Sequence, residues 1–193
     1  MLTTKHSARE QGACELPNAD YSVNLPVALG DIASLGVLRF KSDLCGHILQ
    51  IDCGKGKKNI IITNSNLGGG LDLYASSWDT LTNSLPPGQT SCSAQLTGLN
   101  PIKNAGPVCY YIQNEGNNDY YHNVAVFNTE MLITTGATLL GIKGSHRGQN
   151  PYYAFDVKAS KNDQVTFTFN DGTSRSFFLK DCISGRGAKK DWH

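Results

Sequence analysis

The stretch Gly70-Leu71-Asp72-Leu73 decides how the first half of this chain is interpreted. Successive side chains of a strand point to opposite faces, so Leu71 and Leu73 are expected to face a core while Asp72 faces away from it. Asp72 is then a carboxylate in a groove, or it caps a short helix that is expected to begin near Tyr74, since aspartate is a preferred helix cap. The residues alone leave both interpretations open.

Around this stretch, the first half of the chain predicts short strands and one helix. Apolar runs broken by glycine, serine and aspartate predict strands at residues 23–29, 36–41, 46–52 and 57–63. A short helix follows Leu73, with Trp78 on its buried side. Residues 100–106 are rich in Asn, Pro and Gly, which is typical of a linker, so we place a domain boundary there.

The second half of the chain is predicted to be all-β. Strands are predicted at residues 123–127, 137–143, 152–157, 165–169 and 176–180. The alternation of Val165, Phe167 and Phe169 with threonines indicates one apolar and one polar face. Asp171-Gly172 is a strong hairpin turn signal. Short strands at this spacing favour a small β-sandwich.

Six dispersed cysteines predict a disulfide framework and an oxidising compartment. They are Cys14, Cys45, Cys53, Cys92, Cys109 and Cys182. Cys109 and Cys182 bracket the second half, so we expect them to pair and join its two ends. For the others the expected pairs are Cys14 with Cys45 and Cys53 with Cys92, although the sequence leaves that pairing open.

Composition narrows the possible partners of the protein. The 193 residues carry a net charge of only +1, and 17% of them are charged, so no field attracts nucleic acid. No apolar run is long enough to predict a membrane span. The five histidines show no zinc-ligand spacing, and neither a metal nor an organic cofactor is expected. A neutral polar surface suits a neutral polar partner such as a glycan.

The order of motifs in the first half resembles the six-stranded double-psi β-barrel of expansins, barwin-like proteins and fungal expansin-like proteins. The motifs are Gly12-Ala13-Cys14, Val27-Ala28-Leu29, Cys45-Gly46, a strand ending in Thr63, Gly70-Leu71-Asp72-Leu73 and a helix with Trp78. The resemblance implies a barrel domain over residues 1–102. It also implies that Asp72 contacts a glycan chain in a groove.

The second half resembles the carbohydrate-binding module of expansins. Tyr120 and Tyr121 precede the strand at 123–127, as paired aromatics do in that family, and Tyr152 is similar to a third aromatic of its binding platform. The implied fold is mainly β: the barrel, then an immunoglobulin-like β-sandwich over residues 103–185, then a basic flexible tail at 186–193. Tyrosine rings stack on the flat C–H faces of sugars; the alternative is that these tyrosines are sandwich core.

The resemblance also implies further groove residues. Thr3, Thr4, Asn64 and Tyr74 are expected to bind the glycan beside Asp72. Glycoside hydrolysis usually needs two carboxylates. The position where expansins often carry a second acid looks like Asn64, and an amide is neither a general base nor a carboxylate nucleophile. The sequence therefore argues against a hydrolase.

The function implied is that of a secreted, monomeric expansin-like protein in the extracellular space or cell wall. It is expected to bind and loosen a wall polysaccharide (cellulose, xyloglucan or chitin) without enzymatic cleavage. One alternative is a barwin-like secreted effector or protease inhibitor, which would bind a protein through loops such as residues 144–150. The other is a lytic glycoside hydrolase, which would need a second carboxylate facing Asp72.

Overall fold

The computed structural model describes residues 2–6, 12–103, 106–112, 117–185 and 192. Its strands are β1 (Leu2–His6), β2 (Pro26–Gly30), β3 (Ile48–Asp52), β4 (Lys58–Asn66), β5 (Leu71–Tyr74), β6 (Gln89–Ser91), β7 (Ser93–Leu96), β8 (Val108–Tyr111), β9 (His122–Phe127), β10 (Thr134–Leu139), β11 (Ile142–Lys143), β12 (Ser145–His146), β13 (Tyr153–Phe155), β14 (Gln164–Phe169), β15 (Ser174–Phe178) and β16 (Ile183–Ser184). The helix α1 spans Ala75–Thr82, and short 3-10 helices span Ala33–Leu38, Ser42–Leu44 and Leu179–Asp181. The mainly β fold class is confirmed.

The first seven strands form one curled sheet in the order β6-β1-β5-β2-β4-β3-β7. Only Cys92 separates β6 from β7, so a single bent strand joins the two edges of the sheet. Counting that strand once gives the six strands expected of the barrel. The pairs β1–β5 and β2–β4 are parallel, whereas the other pairs of this sheet are antiparallel.

The strand predicted at residues 36–41 is wrong, because half of that segment belongs to the 3-10 helix Ala33–Leu38 and the other half is not strand either. Its buried residues, Leu35 and Leu38, are three apart, which is the period of a 3-10 turn rather than of a strand. Gly36 has φ 56° and ψ −122°, a conformation that glycine adopts without steric cost.

The second half forms a β-sandwich, as predicted. Its two sheets have the strand orders β11-β10-β14-β15 and β12-β13-β9-β8-β16. The hairpin between β14 and β15 turns at Asp171 and Gly172, and Asp171 Oδ1 accepts a hydrogen bond from the backbone N–H of Thr173 at 2.9 Å. Alternate residues of β14, including Phe167, are buried between the sheets.

All three expected disulfides are present. Cys14 pairs with Cys45, Cys53 with Cys92, and Cys109 with Cys182. The second of these fixes the bent strand at the residue where it changes edge. The third joins β8 to the segment just before β16, at one end of the sandwich.

Strand β9 serves both units because its two faces pack on different cores. Val124 and Val126 belong to the core of the sandwich, whereas Ala125 and Phe127 pack into the hydrophobic cluster of the barrel. The barrel cluster therefore continues into the sandwich. The predicted boundary at residues 102 and 103 lies in the segment between β7 and β8 and stays a prediction.

Phe127 is the centre of this shared core. It is 3% exposed, and its ring meets the rings of Tyr110 and Tyr152 edge-on, with centroids 5.9 and 6.1 Å apart. A Cβ added at Gly46 would lie 3.1 Å from the Phe127 ring, and Gly46 has φ 81°. Gly46 thus provides both the close approach and a left-handed backbone at the point where the two units touch.

Residues 144–150, which we call the clasp loop, tie the sandwich to the barrel a second time. Asp43 of the barrel accepts a hydrogen bond from the Tyr153 hydroxyl at 2.8 Å, and His146 Nε2 lies 3.3 Å from its carboxylate. Further along the loop, Ser65 Oγ donates to Gln149 Oε1 at 2.7 Å. Burial lowers the pKa of His146, but the hydrogen bond and the charge of Asp43 outweigh burial, so the pKa is raised.

The flexible tail predicted at residues 186–193 falls mostly outside the described residues. Trp192, which is described, does not fit a free tail, because it is 2% exposed. Its ring packs edge-on against Tyr21 of the barrel, with centroids 5.2 Å apart. Burial of this large aromatic ring anchors that residue of the tail to the hydrophobic cluster of the barrel.

We predict that Phe127→Ala lowers the free energy of unfolding by about 3–5 kcal/mol, because it leaves a cavity between two packed units. Urea unfolding followed by circular dichroism measures this loss. Tyr120→Ala, which removes an aromatic ring that is 63% exposed, is the control and is expected to change the value by less than about 0.5 kcal/mol. Equal effects of the two substitutions would contradict a shared core centred on Phe127.

The raised pKa of His146 predicts a pH-dependent contribution to stability. Its contribution is fully present below the ordinary value of 6.5 and is lost as the pH rises through the raised value in the folded state. Melting temperatures of wild type and His146→Asn, measured from pH 5 to pH 9, are therefore expected to differ most at the acid end. A difference that is constant across this range would show that the charge of His146 does not stabilise the clasp loop.

Candidate functional site

The barrel carries an open groove with a volume of about 680 Å³. Its floor includes β1 and β5, and its walls are the 3-10 helix Ala33–Leu38 and the loop between β4 and β5. The lining side chains are those of Thr4, Ile32, Ser34, Leu35, Asn66, Asp72 and Gln89, and residues 68–70 add glycine backbone.

Thr4 and Asp72 form the polar centre of this groove. They are opposite each other in the parallel pairing of β1 with β5, and Thr4 Oγ1 donates to Asp72 Oδ1 at 2.7 Å. Leu71 and Leu73 are fully buried on the other face, as predicted. The capping interpretation is wrong, because the N-cap of α1 is Tyr74, whose side chain makes no capping hydrogen bond. Asp72 is therefore a groove carboxylate.

Glycines let the wall loop at residues 66–70 lie directly on β2. A Cβ at Gly30 would be 1.6 Å from the carbonyl oxygen of Gly69, so only glycine fits there. The backbone N–H of Gly30 donates to the carbonyl of Gly70 at 2.8 Å. Leu67, at the tip of this loop, is 85% exposed.

Three of the predicted groove residues are buried elsewhere. Thr3 is fully buried because it points to the opposite face from Thr4, and Tyr74 is fully buried in the barrel cluster. Asn64 is 6% exposed: its Oδ1 accepts from the N–H of Ala13 at 2.7 Å, and its Nδ2 donates to the Tyr74 hydroxyl at 3.2 Å. The assignment of Thr3, Asn64 and Tyr74 as glycan-binding residues is corrected on this ground.

Asn66 and Gln89 line the groove but were not predicted from the sequence. β4 runs two residues beyond Asn64, so Asn66, rather than Asn64, is at the end of the strand preceding Asp72. Gln89 begins β6, which pairs with β1, and lies opposite Thr4. Asn64 and Asn66 have the same strand parity, so the position of the end of β4 is what distinguishes them.

The predicted tyrosine platform is only partly present on the surface. Tyr120 is 63% exposed and Tyr121 is half-buried, whereas Tyr152 is fully buried. The Tyr152 hydroxyl donates to the backbone carbonyl of Glu15 at 3.3 Å, so this residue is part of the shared core. Its assignment to a sugar-binding platform is therefore wrong.

Both surface tyrosines have a cation over the ring. Lys158 Nζ is 5.5 Å from the centroid of Tyr120, and the guanidinium of Arg147 is 5.2 Å from that of Tyr121. Arg147 also forms an ion pair with Asp156. Tyr120 is the more exposed of the two, and the cation covers only one face of its ring.

The groove is weakly charged. Among the described lining residues, Asp72 is the sole ionisable group. Other acids of the barrel have partners outside the groove. Asp43 accepts a hydrogen bond from Tyr153, Asp52 accepts one from the N–H of Gly54 at 2.8 Å, and Asp79 forms an ion pair with Lys5 at 3.5 Å.

Trp78 is part of the core, as predicted, and its indole N–H donates to the carbonyl of Leu85.

In the described part of the chain, no group of three or more potential metal ligands comes together. Nor does any described helix have the length and apolarity that a membrane-crossing segment needs.

No protein-family model and no curated protein sequence matches this chain. Five chains of solved structures do, and two of them are of the same expansin. One is the apo form of the expansin from Clavibacter michiganensis, with a TM-score of 0.65 and 17% identity over 97% of this chain and 95% of that chain. The chain has the expansin fold. The other is an aspartate-to-asparagine mutant of the same expansin in complex with cellohexaose, with a TM-score of 0.67 and 17% identity over 97% of this chain and 94% of that chain.

We predict that Asn64→Ala lowers the free energy of unfolding by about 1–3 kcal/mol, because it leaves a buried N–H and the Tyr74 hydroxyl without this partner. Chemical denaturation measures the loss. Asn66→Ala, in the groove, is the matched control and is expected to be nearly neutral for stability. Neutrality of both substitutions would contradict the structural role of Asn64.

Proposed function

We propose that this protein binds a neutral wall polysaccharide of the cellulose type in the barrel groove and loosens its non-covalent packing without cleaving it. The observation that carries the proposal is the Thr4–Asp72 pair at the centre of an open groove with a single charge. The proposal is also supported by the similarity of the fold to that of an expansin, and by the cellohexaose complex of one structural neighbour.

The chemistry of the groove suits a chain of neutral sugars. Asp72 and the amides of Asn66 and Gln89 offer hydrogen-bond acceptors and donors for hydroxyl groups. Ile32, which is half-buried in the groove wall, offers apolar surface for the C–H faces of the rings.

We also propose, from the residues that line the groove, that the protein does not hydrolyse the polysaccharide. Retaining and inverting glycosidases place a second carboxyl about 5–9.5 Å from the first. The described lining residues that surround Asp72 are hydroxyl, amide, aliphatic or glycine. They provide hydrogen bonds but neither a nucleophile nor a general base of the kind that hydrolysis uses.

The sandwich is proposed to add a second contact through Tyr120. This residue lies in the turn just before β9 and is the most exposed aromatic of the predicted platform. Its backbone N–H donates to Asn118 Oδ1 at 2.8 Å, which fixes the turn that presents the ring. We propose that the free face or edge of Tyr120 contacts sugar rings.

We also propose that the protein is secreted and acts as a monomer outside the cell. Three disulfides in a chain of this size are typical of proteins made in an oxidising compartment.

A protein-binding effector, the alternative function, would bind its partner through the clasp loop at 144–150. That loop makes hydrogen bonds to Ser42, Asp43 and Ser65 of the barrel, which supports an internal role instead.

The test is a pull-down on insoluble cellulose, xyloglucan-coated cellulose and chitin, with released reducing sugar assayed in the same tubes. Asp72→Asn is expected to weaken cellulose binding about tenfold, since it removes charge-assisted hydrogen bonds to hydroxyl groups. Thr4→Val is expected to weaken binding less, and wild type is expected to release no reducing sugar.

Asp20→Asn is the matched control, because Asp20 is an exposed barrel acid paired with Lys103. It is expected to bind as wild type does. Tyr120→Ala separates the contribution of the sandwich from that of the groove. Sugar release that Asp72→Asn abolishes would make the protein a hydrolase. Failure to bind any of these polymers would refute the proposed function and favour a protein partner.

A further inference from the structure

The turn that joins β3 to β4 concentrates positive charge at one end of the barrel. Residues 54–58, which we call the lysine hairpin, have the sequence Gly-Lys-Gly-Lys-Lys, and all of them are exposed. Because the whole chain has a net charge of only +1, the lysines at positions 55, 57 and 58 are a local excess of positive charge. Like charges held close together raise the local potential and attract an anionic partner.

The three lysines of this hairpin are not neutralised by acids of the protein. Within the part of the chain that the structure describes, none of them forms an ion pair or lies over an aromatic ring. Three other cations of the barrel are each paired with an acid, namely Lys5 with Asp79, Arg39 with Asp31 and Lys103 with Asp20. The charge of the lysine hairpin is therefore available to a partner outside the chain.

The backbone of the turn is held in shape without the lysine side chains. Asp52 Oδ1 accepts hydrogen bonds from the N–H of Gly54 at 2.8 Å and from that of Gly56 at 3.2 Å. The two glycines have φ 87° and 94°, which glycine adopts without steric cost. The Cys53–Cys92 disulfide joins the base of the hairpin to the bent strand. A partner binds a turn that is already ordered, which lowers the entropy cost of binding.

Asp52 is the acid nearest in sequence to these lysines, and its charge opposes the binding of an anion. It is one carboxylate against three ammonium groups, and its Oδ1 is shared by two backbone N–H groups. Three lysines and one aspartate leave residues 52–58 with a net charge of +2. Asp52 therefore reduces the attraction of the hairpin for an anion but does not reverse it.

Beside the lysines, the outer face of the sheet carries neutral hydrogen-bonding groups. Asn59 of β4 lies opposite Gln50 of β3, and Gln50 lies opposite Gln95 of β7, so three amides form a row across three strands. Gln95 Nε2 donates to Gln50 Oε1 at 3.4 Å. A shallow depression of about 110 Å³ is lined by Gln50, Gln95 and Lys57, and by Asp52 at the turn. Amides bind hydroxyl groups, whereas ammonium groups pair with carboxylates.

We propose that the lysine hairpin and the adjacent amide row bind a polyuronate, an acidic polysaccharide with a carboxylate on each sugar, with carboxylates at the exposed lysines and sugar hydroxyls at the amides. A nucleic acid fits this surface less well, because residues 52–59 and 93–96 include no aromatic side chain on which bases stack. A lipid surface fits less well too, because residues 54–58 offer no apolar side chain for insertion.

The lysine hairpin is at the far end of β4 from the groove. Lys58 begins the strand and Asn66, which lines the groove, ends it, so the two are about 25 Å apart along the strand. This distance is about three times the screening length of about 8 Å at physiological ionic strength, so the lysines do not act electrostatically on Asp72. The proposal uses none of the groove residues and stands or falls independently of the proposed function.

The test is a calorimetric titration of the full chain with sodium polygalacturonate. Its matched ligand is the fully methyl-esterified polymer, which has the same backbone without the charge. We expect saturable binding of polygalacturonate in about 50 mM NaCl and at least about tenfold weaker binding in about 300 mM NaCl, because salt screens exposed charges. We expect no binding of the methyl ester.

Two triple variants test the lysines themselves. The first is Lys55→Gln, Lys57→Gln and Lys58→Gln, which is expected to keep the wild-type melting temperature and to weaken polygalacturonate binding at least about tenfold. The second is the matched control Lys41→Gln, Lys143→Gln and Lys161→Gln, which removes the same net charge at exposed positions elsewhere. It is expected to weaken binding less than about twofold.

Asp52→Asn tests the opposing charge. Asparagine keeps an Oδ1 acceptor for the turn but has no charge, so this variant is expected to bind polygalacturonate about twofold to fivefold more tightly than wild type. Cellulose binding by all these variants is expected to equal that of wild type. A defect of the groove is thereby distinguished from a defect of the lysine hairpin.

Four outcomes would overturn the proposal. They are no binding of polygalacturonate, equal binding of its methyl ester, equal weakening by the two triple variants, and tighter binding of single-stranded oligothymidylate than of polygalacturonate at the same ionic strength. The last outcome would identify the lysine hairpin as a nucleic-acid contact instead. If Asp52→Asn lowers the melting temperature, the comparison of the two triple variants alone decides.

Discussion

The contact between the Phe127 ring and the bare backbone of Gly46 is the constraint on which the rest of the structure depends. A side chain at Gly46 would crowd the ring, and the left-handed φ of this residue favours glycine in any case. With Phe127 in place, β9 has one face in the barrel cluster and the other in the sandwich core. The two units therefore share one apolar cluster, and each fixes the other through it.

The clasp loop acts on the same interface with polar groups. Asp43 accepts a hydrogen bond from the Tyr153 hydroxyl and lies beside His146, so a carboxylate of the barrel orients two residues of the sandwich. Ser65, which hydrogen-bonds to Gln149 of the clasp loop, directly precedes Asn66, and Asn66 lines the groove. The orientation of the sandwich is thus tied to the strand that ends at the groove wall.

The groove itself depends on strand pairing rather than on any single motif. Thr4 and Asp72 are 68 positions apart in the sequence, and they meet because β1 and β5 pair in parallel. Gly30 allows the wall loop to lie on β2. The result is a polar groove centred on Thr4 and Asp72.

Local patterns in the sequence predicted most of the fold. The alternation in β14, the Asp171-Gly172 turn and the buried run Ile60-Ile61-Ile62 depend on near neighbours, and the structure has them as expected. The predicted strand at 36–41 was wrong because leucines at positions 35 and 38 satisfy a 3-10 turn as well as an apolar run.

The site was harder to predict because the face of a strand residue depends on distant pairing. Thr3 and Thr4 are equivalent in sequence, and only the pairing of β1 with β5 decides that Thr4 reaches the groove. Tyr152 has the sequence environment of a surface aromatic, but docking of the barrel buries it beside Phe127. Asn64 was chosen because the strand was predicted to end at residue 63, three residues before the end of β4 at Asn66.

The measurement that tests the central claim most directly is a cellohexaose titration of the wild-type chain, followed by backbone amide shifts and by analysis of the sugar after prolonged incubation. The account predicts saturable shifts at Thr4, at residues 66–70, at Asp72 and at Gln89, with the cellohexaose recovered intact. Shifts that avoid these residues, or the appearance of shorter oligosaccharides, would contradict it.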